Sequence, residues 1–205
     1  MIPANAKLLI CPFCKGEKPI IQLVSGNTCG ATQRSDLKVD YPMLPRPSYV
    51  QRCPHCGKYY FITAVETKEA SFRSGDKGEL SYREAAEALQ QLTSQPIDQK
   101  DEINLLLLYI QAYNTTYQLM GKDNQPMPTE EEHSLFCEQV ERLLAIWEVE
   151  PLVKAEFLRE IGQFDDCIKI LDTQHPKDFF KYEIATRIRS AAQDKSTKVF
   201  IITQR

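Results

Sequence analysis

Two pairs of closely spaced cysteines constrain this chain more than any other feature of its sequence. The first pair is Cys11-Pro-Phe-Cys14, and the second, after a spacer of 38 residues, is Cys53-Pro-His-Cys56. Two residues between cysteines allow one tight turn to direct both sulfurs at the same point, and two such turns supply four thiolates for a tetrahedral metal ion. The spacing therefore predicts a metal site whose ligands are Cys11, Cys14, Cys53 and Cys56.

Zinc is the metal that we expect, and iron is the alternative because the same four thiolates bind both ions. Nothing else in the sequence indicates electron transfer, which favours zinc. Four thiolates close the coordination shell and leave no position for water, so the expected role of the ion is structural. Four reduced cysteines without metal, or a redox dithiol, are the competing interpretations, although a catalytic dithiol usually needs only one such pair.

Strand-like segments flank both pairs, so we expect each pair to lie on a hairpin turn. Gly57 directly follows the second pair, where a positive φ would point backbone N–H groups toward sulfur. In the first pair the glycine comes one residue later, at Gly16, and this difference predicts that the two turns are not alike. The predicted strands are Leu8–Ile10, Ile20–Val24, Tyr49–Arg52 and Tyr59–Thr63.

The Cys-Pro-x-Cys turns resemble those of zinc-ribbon and rubredoxin-like proteins, and the resemblance covers about the first 65 residues. The spacer exceeds the roughly 15–20 residues of compact four-cysteine sites, which predicts an insertion or an extra hairpin. With this spacer and the helices that follow, the chain also resembles a group of bacterial proteins of unassigned function. That resemblance implies an architecture, a ribbon followed by helices, and no activity.

The spacer contains a stretch, residues 25–47, that is punctuated by glycine and proline. We expect it to form an ordered turn that covers the metal site. The alternative interpretation is a polar recognition surface. The residues that would form this surface are Asn27, Thr28, Arg34, Ser35 and Asp36.

Charge divides the chain into two parts. Residues 1–66 carry eight Lys and Arg against four Asp and Glu, whereas the whole chain has a net charge of −3, so the remainder carries −7. The polar stretch 67–81 is typical of a linker. We therefore predict an α+β protein, with a small β zinc-ribbon domain at 1–66, a linker at 67–81 and an all-α helical domain at 82–205.

Helical periodicity and capping signals predict a bundle of helices in the C-terminal part. Residues 82–92 are rich in Ala and Glu, Asp98 caps a helix that runs to about Tyr117, and Thr129 with Glu132 forms a capping box. Pro151 suits the first turn of another helix, and a last helix is expected at 177–193 with Phe180 facing inward. The predicted core comprises Leu107, Ile110, Leu143, Leu144, Trp147, Phe157, Leu158 and Ile168.

Gly162 is predicted to end one helix in a left-handed turn, after which Phe164 and Cys167 begin the partner helix. This turn resembles that of a tetratricopeptide-type hairpin. A superhelical array needs about three repeats, and only one such turn is recognisable. We therefore expect a single tetratricopeptide-like hairpin and not a peptide-binding solenoid.

The other cysteines and histidines are expected to bind no metal. Cys29 lies in a glycine-bounded turn and is interpreted as a small packing residue, and the side chain of His55 is expected to point to solvent. Two cysteines fall on helical stretches, where a buried free thiol is typical, and two histidines have no partner at ligand spacing. These four residues are Cys137, Cys167, His133 and His175.

The sequence favours a binding function over an enzymatic one. It contains no nucleophile–base motif, phosphate loop or dinucleotide glycine pattern, so we expect a cytoplasmic zinc protein that acts as a scaffold for another protein. Binding of nucleic acid is the alternative, with the basic N-terminal part and Tyr59, Tyr60 and Phe61 as stacking groups; a rubredoxin-like redox protein is a third. We expect no membrane contact, because the longest apolar run is far shorter than the ~20 residues that span a bilayer.

Overall fold

The computed structural model describes residues 2–44, 46–72, 74–76, 78–174 and 178–204. Within these ranges the protein is α+β, as predicted: small β-sheets with the cysteine cluster come first, and six α-helices follow. The strands are β1 Ile2–Pro3, β2 Lys7–Ile10, β3 Glu17–Ile20, β4 Leu23–Ser25, β5 Thr32–Arg34, β6 Val39–Asp40, β7 Val50–Arg52, β8 Tyr59–Phe61, β9 Thr67–Glu69 and β10 Ile201–Gln204. The helices are α1 Tyr82–Leu92, α2 Gln99–Tyr113, α3 Glu130–Ile146, α4 Pro151–Glu160, α5 Phe164–Thr173 and α6 Phe179–Gln193.

The chain forms two compact units. Unit 1 comprises Met1–Thr32, Val39–Ala112 and Thr203–Arg205, and unit 2 comprises Gln33–Lys38 and Tyr113–Ile202. Unit 1 therefore includes α1 and most of α2 together with the N-terminal β-sheets and the cysteine cluster. Whether residues 1–66 and residues 82–205 fold as independent domains stays a prediction.

A three-stranded antiparallel sheet in unit 1 has β2 at its centre, between β3 and β9. Strand β9 falls in the segment 67–81 that the sequence predicted to be a linker, so the first three residues of this segment form a regular strand. All three side chains of β9 are exposed. Main-chain hydrogen bonds with β2, and not burial of side chains, hold this edge strand in the sheet. Its sequence therefore lacks the alternation of apolar and polar residues by which a strand is predicted.

Strands β7 and β8 form an antiparallel hairpin, and α1 packs on β8. The hydroxyl of Tyr59 donates to Glu87 at 2.7 Å, and the Gln91 side chain bonds both backbone groups of Tyr59, at 3.1 and 2.9 Å. All three residues of β8, Tyr59, Tyr60 and Phe61, are buried. The prediction that they offer stacking surfaces to nucleic acid is therefore wrong.

The capping signals located the helix starts well. Helix α1 spans the predicted residues behind a capping box of Ser81 and Glu84, and the predicted box of Thr129 and Glu132 opens α3. The Asp98 carboxylate accepts from the backbone N–H of Asp101 at 2.7 Å, as expected of a cap. Helix α2 ends earlier than predicted, because residues Asn114–Gln118 form a turn of π-helix.

Helices α4 and α5 form the predicted hairpin in unit 2. Gly162 between them has a φ of +80°, which only glycine adopts without strain. Buried Cys167 packs with Ala155, Leu171 and Ile188 in a cluster that joins α4, α5 and α6. Phe180, predicted to face inward on the last helix, is instead 43% exposed; Lys177, its predicted first residue, lies outside the described residues.

The predicted helical core is half right. Ile110, Leu143, Phe157 and Leu158 are buried, whereas the other four side chains are only partly buried. In α2 the fully buried side chains include Leu105 and Leu106, because the apolar run of this helix left its inward face ambiguous. The partly buried members are Leu107, Leu144, Trp147 and Ile168.

Residues 33–38 bring a charged pair into the interior of unit 2. The Arg34 guanidinium donates two hydrogen bonds to the Asp36 carboxylate, from Nε at 3.0 Å and from Nη2 to the second oxygen. Its Nη1 donates to the Thr115 hydroxyl at 2.7 Å. The backbone N–H of Ser35 donates to the Phe200 carbonyl at 2.9 Å. Because Arg34, Ser35 and Asp36 are all buried, they form no recognition surface, and their contacts lie in unit 2.

A second charged pair, on α4, lies beside the buried carboxylate of Glu160. Arg159 donates from Nε and Nη2 to Glu156, at 2.9 and 2.5 Å. Asn114 donates from its side-chain nitrogen to both Asp36 and Glu160, at 3.1 and 2.8 Å. Glu160 Oε1 is buried and has no hydrogen-bond partner among the described residues, and burial raises the pKa of Glu160 well above its usual range.

Candidate metal centre

The four cysteines that the sequence pairs are brought together in unit 1. All four sulfur atoms lie within 4.8 Å of one another. Between the two turns, Cys11 Sγ is 3.7 Å from Cys56 Sγ, and Cys14 Sγ is 3.6 Å from Cys53 Sγ. Four sulfurs at about 2.3 Å from a zinc ion stand about 3.8 Å apart in a regular tetrahedron, so the cluster has the dimensions of a four-thiolate metal site.

The two cysteine turns have the same backbone, which contradicts the prediction that they differ. The N–H of Lys15 donates to the Cys11 carbonyl at 3.0 Å, and the N–H of Gly57 donates to the Cys53 carbonyl at the same distance. Lys15 and Gly57 also share a left-handed conformation, with φ of +60° and +73°. The first turn thus places a lysine where the second has the expected glycine.

Gly16 has a different role from the one that its position suggested. A Cβ atom on Gly16 would lie 2.3 Å from Cδ2 of His55. The His55 ring is exposed, as expected, but it also lies against the first turn, with Nε2 3.2 Å from the Glu17 carbonyl oxygen. The glycine therefore makes room for a side chain of the opposite turn.

Hydrophobic residues enclose one side of the cluster. Cys11 and Cys53 are buried and pack with Leu9, Ile20 and Tyr60, whereas the other two cysteines are exposed. Burial, followed by the charges of the nearby cysteines, raises the pKa of Tyr60 to about 12. The strands β2 and β7 lead directly into the buried first cysteine of each turn, so the sheets fix the position of these two sulfurs.

The thiols of the cluster shift one another's pKa values in opposite directions. A backbone hydrogen bond at Gly16 lowers the pKa of Cys14, but desolvation and hydrogen bonds with the other three thiols raise that pKa to about 12. Desolvation raises the pKa of Cys53, whereas backbone hydrogen bonds, including one from His55 N–H to Sγ at 3.4 Å, and hydrogen bonds with the Cys14 and Cys11 thiols lower it to about 7. Four negative charges within 4.8 Å of one another repel strongly, so ionisation of all four thiols requires a cation, which a divalent metal ion would supply.

The remaining cysteines and histidines lie elsewhere. Cys29 is exposed and is not part of the cluster, so its interpretation as a packing residue is wrong. Cys167 is buried, as predicted, whereas Cys137 is only partly buried. Cys137 Sγ lies 3.7 Å from His133 Nε2, a pair that the sequence analysis missed although the two residues stand four apart on a helix; His175 lies outside the described residues.

No protein-family model, curated protein sequence or solved structure matches this chain. The helices in the described part of the chain are all too short or too polar to cross a membrane.

Proposed function

We propose that this chain binds one zinc ion through Cys11, Cys14, Cys53 and Cys56, and that the ion stabilises the N-terminal fold. The observation that carries the proposal is the approach of four thiols from two turns to the spacing of a tetrahedral site. In this proposal the N-terminal region is a zinc ribbon of the kind that its cysteine turns resemble, and a helical region with one tetratricopeptide-like hairpin follows it.

The chemistry of the donor set supports a structural ion. Four thiolates fill the coordination shell of zinc, so neither water nor substrate has a position on the metal. Binding of zinc to such a site contributes on the order of 10–16 kcal/mol in small peptides. The apolar cluster beside the thiols contains only a few side chains, so the metal would supply much of the stability of this region.

Removal of the metal tests the structural role. We expect a strong chelator to abolish the near-ultraviolet circular dichroism of the tyrosines near the cluster and to lower the unfolding temperature, while most helical signal in the far ultraviolet remains. Zinc added back should restore both properties. A chelated protein with unchanged spectra and unfolding temperature would contradict a structural role. A red protein with a reversible one-electron couple would instead identify the rubredoxin-like alternative.

We further propose that the protein acts in the cytoplasm by binding another protein. Support comes from the start of α6, where Phe179 is 79% and Tyr182 59% exposed; exposed apolar side chains in a group are typical of contact surfaces. Capture from a lysate of the native cell, with the wild type beside a Phe179→Ser/Tyr182→Ser variant, tests this role. A partner retained only by the wild type supports it, and equal retention by both contradicts a contact through this helix.

A nucleic-acid function is favoured by one observation on the cysteine turns. Phe13 is 51% exposed, and the ammonium of Lys58 lies 4.8 Å from the centre of its ring. An exposed aromatic ring beside a cation is suited to stacking with a base next to a phosphate. Binding to a single-stranded oligonucleotide that weakens with salt, and that Phe13→Ala weakens about 10-fold, would support this second function; no binding at low salt would contradict it.

A further inference from the structure

His133 and Cys137 approach one another on α3 without being part of the four-cysteine cluster. They stand four residues apart, so they lie on the same face of the helix. The distance from His133 Nε2 to Cys137 Sγ is 3.7 Å. A nitrogen and a sulfur that bind one tetrahedral zinc ion stand about 3.6 Å apart, given the usual bond lengths, so the observed spacing is that of a chelating pair.

The other ring nitrogen of His133 is held by a buried residue. Tyr113 Oη lies 3.2 Å from His133 Nδ1, and the Tyr113 ring stacks on Phe136, with ring centres 4.0 Å apart and an angle of 11°. Histidines that bind metals usually have their second nitrogen fixed by a hydrogen bond of this kind. The contact orients the imidazole so that Nε2 is presented to Cys137.

The surroundings of the pair admit and attract a cation. His133 is exposed and Cys137 is partly buried, so solvent reaches both groups. Burial and the charge of Glu141 raise the pKa of Cys137. The Glu141 carboxylate is held near the thiol by Gln163, which donates to it at 3.0 Å, and its negative charge favours a nearby cation.

We propose that His133 and Cys137 form a second metal site, a two-ligand clip on α3 for zinc and chemically similar divalent ions. Among the described residues, only the four-cysteine cluster brings three or more candidate ligands together. The clip therefore leaves coordination positions open to water or to an added ligand, unlike a closed four-thiolate site.

Zinc binding at controlled free concentration tests the clip in the full chain. Equilibrium dialysis followed by elemental analysis should show a first equivalent at low free zinc and a second at higher free zinc. His133→Ala and Cys137→Ser should each lose the second equivalent and keep the first. Tyr113→Phe keeps the stacked ring but removes the hydroxyl, so it should weaken the second equivalent about 10-fold.

Two variants separate this site from the cysteine cluster. Cys29→Ser removes an exposed thiol that has no histidine four residues away, so it should keep both equivalents. Cys53→Ser should lose the first equivalent and keep the second, so failure of one site is distinguishable from failure of the other. The proposal is overturned if the wild type binds no second equivalent, or if that equivalent persists in His133→Ala or Cys137→Ser.

Discussion

The imidazole of His55 occupies the space that a side chain on Gly16 would need. A Cβ on Gly16 would lie 2.3 Å from Cδ2 of this ring, and the ring's Nε2 is 3.2 Å from the Glu17 carbonyl oxygen. Gly16 does not have a positive φ, so the glycine is required by this contact and not by its backbone conformation. The second cysteine turn therefore contacts the first through a side chain as well as through the sulfurs.

We expect Gly16→Ala to displace the His55 ring and break its hydrogen bond to Glu17. The loss should lower the free energy of unfolding of the zinc-loaded protein by about 1 kcal/mol, measured by urea unfolding. In a His55→Ala background the same change should have almost no effect, because no ring is displaced. An equal effect of Gly16→Ala in both backgrounds would show that the contact with His55 is not its cause.

Lys15 and Gly57 share one left-handed conformation and should respond oppositely to substitution. Gly57→Ala should lower the free energy of unfolding by about 1–2 kcal/mol, the cost of this conformation for a residue with a Cβ. Its Cβ would meet only Arg52, at 3.7 Å, so no clash contributes. Lys15→Gly should raise the free energy of unfolding by up to about 1 kcal/mol, since it relieves the same strain. Thermal unfolding of both variants with zinc bound checks the signs, and destabilisation by Lys15→Gly would contradict this account.

Glu160 is predicted to bind its proton more tightly in the folded protein than in the unfolded chain. Burial is the largest cause of its raised pKa, and the negative charges of Glu156 and Asp36 raise the pKa further. The charge of Arg159 and the hydrogen bond from Asn114 act in the opposite direction. The folded state therefore keeps a proton that the unfolded state releases above about pH 4.3. Stability should fall as the pH rises from that value to the raised pKa of the folded state.

Glu160→Gln keeps the shape of the neutral acid and cannot ionise. It should remove this part of the pH dependence and, at pH 7, raise the free energy of unfolding by more than about 0.5 kcal/mol. Glu156→Gln is the matched control, because it breaks the buried pair with Arg159 and should destabilise the protein by about 3–5 kcal/mol. Urea unfolding between pH 5 and 8 measures both, and a Glu160→Gln variant less stable than the wild type at pH 7 would contradict a raised pKa for Glu160.

The features that the sequence predicted best depend on local chemistry. The cysteine spacing identified the four thiols that the structure brings together, because two residues between cysteines determine a turn by themselves. The capping box of Thr129 and Glu132 located the start of α3, since a cap needs only residues three positions apart.

The features that the sequence missed depend on contacts between distant residues. Nothing local indicates that Arg34 and Asp36 are buried with Asn114 and Thr115, about 80 residues away along the chain. Trp147 was predicted to lie in the core, but it follows the last residue of α3 with an extended backbone and is partly exposed. Helical periodicity gives the inward face of a helix and fails where the helix ends.

Metal analysis of the purified protein tests the central claim most directly. We predict one zinc per chain in the wild type, the same amount in Cys29→Ser, and none at the cluster in Cys53→Ser, measured by elemental analysis after dialysis at low free zinc. The two variants compare the loss of Cys53, a thiol of the cluster, with the loss of Cys29, an exposed thiol outside the cluster. Full retention of zinc by Cys53→Ser, or a wild-type protein that binds no zinc, would contradict the assignment of Cys11, Cys14, Cys53 and Cys56 as the ligands.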